Sequence, residues 1–199
     1  GQGGDIGLEP EPMQSQVGVF HLPLTQWEYE VRDQSAPFER AFDKLTMREG
    51  WGRDDQYLLL DGIHGGPVHK IWPDANAIVN LTCNGRICLM TGQGGENPRN
   101  HNVVTVSRDG FGATWDRLAS LEAAADLSTF GYSHTRVDNY AFSSWDRHIF
   151  WRKGEWFVVL DRLVADGEGH YAMEAQWRSV GEPEIRDNAC LTRTWDLLQ

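Results

Sequence analysis

The spacing of turns constrains this chain more than any other feature. Asn84-Gly85, Asp109-Gly110 and Lys153-Gly154 each lie between runs in which apolar and polar residues alternate. Asn-Gly supplies the positive φ angles of a two-residue type I′ turn, so Asn84-Gly85 predicts a tight β-hairpin. Turn signals of this kind recur about every 8–12 residues, the rhythm of a chain built from short antiparallel strands.

The runs between the turns read as strands. Residues 17–24 and 26–33 come first, and in the second Trp27, Tyr29 and Val31 alternate with Gln26, Glu28 and Glu30. Such alternation puts one face on a core and the other in water. Phe42, Leu45 and Met47 lead to a loop at 49–55 and an apolar run at 57–60. Strands are expected at 77–83 and 86–90, flanking Asn84-Gly85, and through His101–Val106 before Asp109-Gly110. Residues 148–152 and 156–162 form a hairpin, and Tyr171, Met173, Ala175 and Trp177 share one face of a later strand. One segment resists: residues 114–130 contain Ala123-Ala124-Ala125 with Leu118 and Leu121 at helical spacing, and propensity alone favours a helix there.

Composition narrows the classes. A chain of 199 residues with 40% hydrophobic and 24% charged residues has enough for one good core or two small ones. No apolar run approaches the ~18 residues of a membrane span, so no membrane partner is expected. Residues 1–16 read as a flexible tail, with residues 17–199 as one domain. The tail has no signal-peptide pattern, and the absence of an initial Met fits removal of an upstream segment. A net charge of −11 argues against nucleic acid, whose binding rests on Lys and Arg at phosphates. Three cysteines, Cys83, Cys88 and Cys190, do not make a disulfide framework and read as small half-buried strand residues. Nine Trp are many for this length. Most are expected in the core, while Trp51 and Trp72, beside Gly or Pro, are candidate exposed platforms of the kind that stacks on sugar rings. Asn80-Leu81-Thr82 fits a glycosylation triplet but falls inside an expected strand. Neither Gly-x-Ser-x-Gly nor a phosphate-binding loop is present.

Asp74-Ala75-Asn76-Ala77-Ile78, then Asn84-Gly85, Thr91-Gly92 and His101-Asn102-Val103-Val104, follow one another in an order that resembles a known pattern. Heparinase II/III-like polysaccharide lyases, which include alginate and oligoalginate lyases, carry His-x-His-x-Asp-x-Asn-Ser-Phe, a Gly turn, Val-Asp-x-Gly and His-Asn-Thr-Val in their C-terminal β-sandwich. Residues 139–181 also resemble that family's Trp-x-Arg strand, Gly hairpin and Val-x-Asp strand. The resemblance covers about residues 40–185 and implies an all-β, two-sheet antiparallel β-sandwich of the supersandwich type. It also implies a strand rather than a helix at 121–125.

What the resemblance implies about chemistry is incomplete in this chain. Complete lyases of the family carry a helical toroid that supplies a Tyr, a His and a group neutralising the uronate carboxylate. β-Elimination needs that neutralisation, a base for the C5 proton and an acid for the leaving oxygen. Residues before Gln56 already read as strands, so the base and acid are expected from another domain or a helical partner chain. Aligned on Asp74, Lys70 and Trp72 stand where the family has its two His, with His69 one position off. Thr91 stands where the family has the Asp of Val-Asp-x-Gly, and His101 alone keeps register. Those positions hold a structural zinc in zinc-bearing members, so no cofactor is expected beyond a degenerate zinc site at His69 and His101.

The candidate site is therefore His69 as the catalytic residue, with Trp72, Asp74, Asn76 and Arg147 contacting an acidic polysaccharide or oligosaccharide. Each has a plainer reading. Asp74 and Asn76 suit turn chemistry after Pro73, His101 suits a buried polar anchor, and Arg147 and Arg152 suit pairing with carboxylates on neighbouring strands. Three functions follow: a lyase-like module for uronic-acid glycans, a non-catalytic carbohydrate-binding or structural sandwich, and an interaction module for a helical partner. The resemblance places the protein outside the cell or in the periplasm.

Overall fold

The computed structural model describes residues 15–22, 36–63, 74–92, 97–112 and 118–193. Fourteen strands follow in order: β1 (Val17–His21), β2 (Phe42–Arg48), β3 (Tyr57–Asp61), β4 (Ile78–Cys83), β5 (Arg86–Met90), β6 (Val104–Arg108), β7 (Phe111–Gly112), β8 (Ser120–Asp126), β9 (Phe130–Val137), β10 (Ser143–Arg152), β11 (Trp156–Ala165), β12 (Tyr171–Ala175), β13 (Glu182–Arg186) and β14 (Ala189–Arg193). Between β5 and β6 the described residues include a 3-10 turn, Pro98–Asn100. The described chain is all-β, as its alternation predicts. The expected strand at 26–33, with Trp27, Tyr29 and Val31, lies outside the described residues.

Strands β1 to β5 form an antiparallel sheet in chain order, and β11-β10-β9-β8 form a second. Their facing sides make one core. Phe42, Leu45, Met47, Leu58, Leu60 and Ile78 of the first sheet pack with Val137, Trp145, Ile149 and Trp151 of the second. Two smaller units, β12-β6-β7 and the β13–β14 hairpin, account for the remaining described strands. Backbone bridges between Ile78 and Asn102, and between Leu89 and Ser179, tie the flanks of β6 and β12 to the first sheet.

The turn chemistry behaves as its residues dictate. Cys83 pairs directly with Arg86, so Asn84 and Gly85 are the whole loop, both at positive φ (53° and 68°). Asp109 and Gly110 do the same between Arg108 and Phe111. A three-residue loop joins Arg152 to Trp156, with Gly154 at φ 75°. Cys88 sits at the register shift in the β4–β5 pair, and burial beside Cys83 pushes its thiol up to about 12.

The Ala-rich segment is strand β8, paired with β9. Its helix propensity is worth only tenths of a kcal/mol per residue, roughly. As a strand it forms the edge of the second sheet and pairs along β9.

Complementary volumes set the inner face of β9 and β10. Gly131 lies opposite Trp151, Ser133 opposite Ile149, Thr135 opposite Arg147 and Val137 opposite Trp145. Small residues on one strand make room for large ones on the next, the pattern close packing needs. A Cβ at Gly131 would come within 2.7 Å of the Trp151 ring. On the other side of β10, Trp151 stacks on Phe157 at 5.6 Å with a 2° interplanar angle. The indole N–H of Trp151 is spent on Gln56 Oε1 at 2.7 Å, so this buried ring leaves no unsatisfied donor.

Candidate functional site

One row across this apolar core is polar. Thr135, Arg147 and Asp161 are neighbours on β9, β10 and β11, and all point inward. Arg147 is fully buried. Its Nε and Nη2 donate to the two carboxylate oxygens of Asp161 at 2.8 and 3.0 Å, a bidentate pair. Trp145 Nε1 donates to the same carboxylate at 2.9 Å. Arg147 Nη1 crosses to the facing sheet and donates to the carbonyls of Asn76 at 2.7 Å and Asn102 at 2.9 Å. A buried charge is tolerated only when paired and hydrogen-bonded, and this one is both.

Asn76 and Asn102 belong to the two segments that carry the family-like motifs. Asn76 sits at φ 65°, fully buried, a left-handed position that Asn tolerates better than most residues. Its turn is closed by Ala77 N–H on Asp74 O at 2.8 Å and tied to β3 by Asn76 N–H on Asp61 O. The Asn76 side chain does not cap its own turn. Its Oδ1 accepts from Thr135 Oγ1 at 2.6 Å, across the sandwich. Asn102 donates from Nδ2 to Ile78 O at 2.8 Å and accepts at Oδ1 from Arg178 N–H at 2.6 Å. Arg147 thus holds together two segments that lie far apart in sequence.

Beside this brace lies a carboxylate that the sequence did not single out. Asp61, at the end of β3, is buried, and its carboxyl is pushed up to about 7 by that burial, with the nearby Asp74 and Asp43 charges adding to the effect. Lys44 Nζ, 2.7 Å from Asp61 Oδ1, opposes the rise. The signal in the sequence was faint: an Asp ending the apolar run 57–60, followed by Gly62.

The expected site residues separate accordingly. His69 and Trp72 lie outside the described residues; the segment that carries them joins the described chain after Ile63 and before Asp74. Asp74, Asn76, His101 and Arg147 are all buried. Arg147, expected at the substrate, has nearly all its N–H donors engaged inside the protein, so it braces the wall instead of meeting a sugar. The pairing reading of this residue fits its geometry. Arg152 pairs with Glu155 in the adjoining turn at 3.0 Å.

The donor set does not suit zinc. Thr91 and His101 are brought near each other, since Gly92 N–H donates to Asn100 O at 2.7 Å. At the position of the family's ligand Asp, however, stands a Thr whose buried hydroxyl makes no hydrogen bond among the described residues. Zinc takes about four ligands from thiolate, imidazole and carboxylate, and a neutral hydroxyl is a poor member of that set. Among the described residues no three His, Cys, Asp or Glu side chains cluster as metal ligands.

A second feature escaped the sequence reading. On the outward side of the second sheet, His134 and His148 stack at 4.1 Å between ring centres. Tyr132 Oη bonds to His148 Nδ1 at 2.8 Å, and His134 Nε2 to Asp146 Oδ1 at 2.9 Å. Partial burial and the neighbouring His134 hold His148 below the usual histidine range. Around these rings Phe130, Phe150, Trp156, Val158 and Leu160 are exposed. The cross-strand register that groups them is visible only once β9, β10 and β11 are paired.

Comparison with known proteins finds likeness in structure. No family model matches the chain, and no curated protein matches it. Among solved structures, heparan sulfate lyase HepC from Pedobacter heparinus superposes with a TM-score of 0.58 at 17% identity, over 77% of this chain and 26% of that one. The heparinase III-BT4657 gene product superposes with a TM-score of 0.57 at 17% identity, over 77% of this chain and 25% of that one. This chain therefore spans about a quarter of the length of the solved structures it resembles. At such low identity the likeness is one of fold: the chain has the all-β architecture found in part of heparinase-type polysaccharide lyases.

Proposed function

We propose that this chain is the β-sandwich module of a polysaccharide lyase-like protein that acts on or binds glycans containing uronic acids. The observation that carries this reading is the buried brace of Arg147 on Asn76 and Asn102. It fixes the two motif-bearing segments at the place where residues 64–73, with His69 and Trp72, enter and leave the described chain. A lyase wall needs that rigidity, because a catalytic side chain misplaced by about 1 Å loses much of its rate. In this reading His69 reaches the cleft, Trp72 stacks on a sugar ring, Asp74 and Asn76 shape the cleft's rim, and the base and acid come from another domain or subunit. The likeness to a heparan sulfate lyase and a heparinase supports the choice of acidic glycans. An extracellular or periplasmic setting follows from that substrate class.

The test is absorbance near 235 nm while the purified chain meets a panel of uronic-acid polysaccharides, with and without added zinc. A rise marks the unsaturated sugar of β-elimination, and His69→Ala should abolish it. A flat trace from this chain alone, restored by adding a helical lyase domain, also fits the reading. A flat trace under both conditions, with no retention on acidic-glycan columns, sinks it.

A second reading rests on a different observation. The outward side of the second sheet exposes Phe150, Trp156, Val158 and Leu160 around the His134–His148 pair. Exposed apolar side chains grouped on one sheet face suit contact with another protein surface, and they favour an interaction module whose partner is a helical domain.

A further inference from the structure

The first sheet has an outward face as well, and it holds a groove of about 440 Å³, within the size range of small-ligand sites. Thr46 and Leu59 lie along it, with Phe20 and the pair Trp51 and Tyr57 also among its lining residues. These residues face away from the core that contains Arg147, so the groove opens on the opposite side of the first sheet, and only Lys44 links it to Asp61.

Three properties make it more than a dent. First, its aromatic rings are presented, not buried: Phe20 is 56% and Trp51 57% exposed. Second, Trp51 is held there by a built loop. Gly52 N–H donates to Asp55 Oδ2 at 2.7 Å, and the Asp55 carboxylate packs so close to Gly50 and Gly52 that a Cβ on Gly50 would lie 2.2 Å from it. Third, the Arg48 guanidinium lies 4.5 Å from the centre of the Trp51 ring and 4.2 Å from that of Tyr57. Among the described residues Arg48 has no carboxylate partner, in a chain with 29 acidic residues against 18 Lys and Arg. Lys44 and Asp43 also line the groove, and they pair with each other at 2.7 Å, with Asp61 at 2.7 Å from the same Lys44 ammonium.

A guanidinium packed against aromatic rings still offers the N–H donors along its edge, and those match a carboxylate or sulfate bidentately. Flat exposed aromatics beside it suit the apolar face of a ring that carries many hydroxyls. We infer that this groove is a second glycan-binding site, which takes a sugar ring bearing one anionic group, with Arg48 on the anion and Trp51 and Phe20 against the ring. It binds whether or not the chain takes part in elimination.

Binding of three hexasaccharides to the full chain, followed by tryptophan fluorescence and calorimetry, tests this. The probes are an oligogalacturonate, a sulfated oligosaccharide without uronate, and neutral maltohexaose. At least one anionic probe should bind at least tenfold more tightly than maltohexaose, and the pair reports whether carboxylate or sulfate is preferred. Arg48→Ala should remove that preference. Trp51→Ala should weaken the anionic probe by about tenfold or more, and both variants should keep the wild-type melting temperature within experimental error. Arg48→Lys keeps the charge without the fork and should recover only part of the affinity. Equal binding of neutral and anionic probes, no binding of any probe, or anionic binding untouched by both alanine variants would each overturn the inference. The last outcome would leave the lyase-module reading standing, and a flat 235 nm trace would not affect the groove.

Discussion

At the scale of single residues, two buried ionisable groups have opposite consequences. Removing the Arg147 guanidinium leaves the Asp161 carboxylate with the Trp145 N–H alone and deprives the Asn76 and Asn102 carbonyls of the Arg147 donor. Arg147→Met is expected to cost about 3–5 kcal/mol, read as a lowered urea midpoint. A midpoint within about 1 kcal/mol of wild type would show that the brace is not holding the two sheets. Asp61 acts the other way. Its carboxyl is raised from 3.8 to about 7 in the folded protein, so the folded state holds a proton that the unfolded chain gives up. The stability it contributes is fully present below about pH 4, is lost as pH rises through about 7, and then stays level. The full change is on the order of 4 kcal/mol at most. Asp61→Asn should remove this slope and raise the melting temperature at pH 8. Parallel pH profiles for the two proteins would refute the assignment.

At the scale of elements, strand pairing decides what local preference leaves open. Residues 120–126 carry high helix propensity, but β9 offers them a ladder, interrupted once at Glu122, and the resemblance-based expectation of a strand holds. The β9–β10 pair shows how narrow the packing is. Gly131→Ala puts a methyl group into the Trp151 ring, and the Val17 side chain on the other side is only 3.1 Å away. The expected cost is about 1–3 kcal/mol in chemical denaturation, with a change in Trp151 fluorescence. A neutral substitution would mean that Trp151 can shift, and the volume matching along these strands would not be the constraint proposed here.

At the scale of the whole molecule, each sheet has an outer face with a distinct character. The first carries a cation among aromatics. The second carries apolar side chains around two histidines. If the second face seats a helical partner, the chain alone should associate at high concentration, and Leu160→Asp should remove that association with little change in melting temperature. Sedimentation across a range of concentrations measures it, and a wild-type chain that stays monomeric throughout would count against this surface. Acid should also weaken the association, because His148 is held neutral at pH 7 and gains a charge, stacked on His134, only as the pH falls below the usual histidine range.

The sequence by itself determined the class of fold and the positions of the hairpins, because alternation and positive-φ turn residues act over two to five positions and need no distant partner. Asn84-Gly85 is legible on sight for that reason. It also suggested the order of the family-like motifs and, in Trp51, one exposed ring. Only the tertiary structure decided what the polar residues do. Arg147 reads in sequence either as a sugar contact or as the partner of a carboxylate on a neighbouring strand, and the folded chain selects the second, with Asp161 beside it and the Asn76 and Asn102 carbonyls across from it. Asn76 reads as a turn cap and instead reaches Thr135, 59 positions away. Asp61, Arg48 and the histidine pair gain their character from strands that pair across long stretches of chain. Burial, desolvation and cross-strand register are properties of an assembled sheet, and no local pattern of residues encodes them.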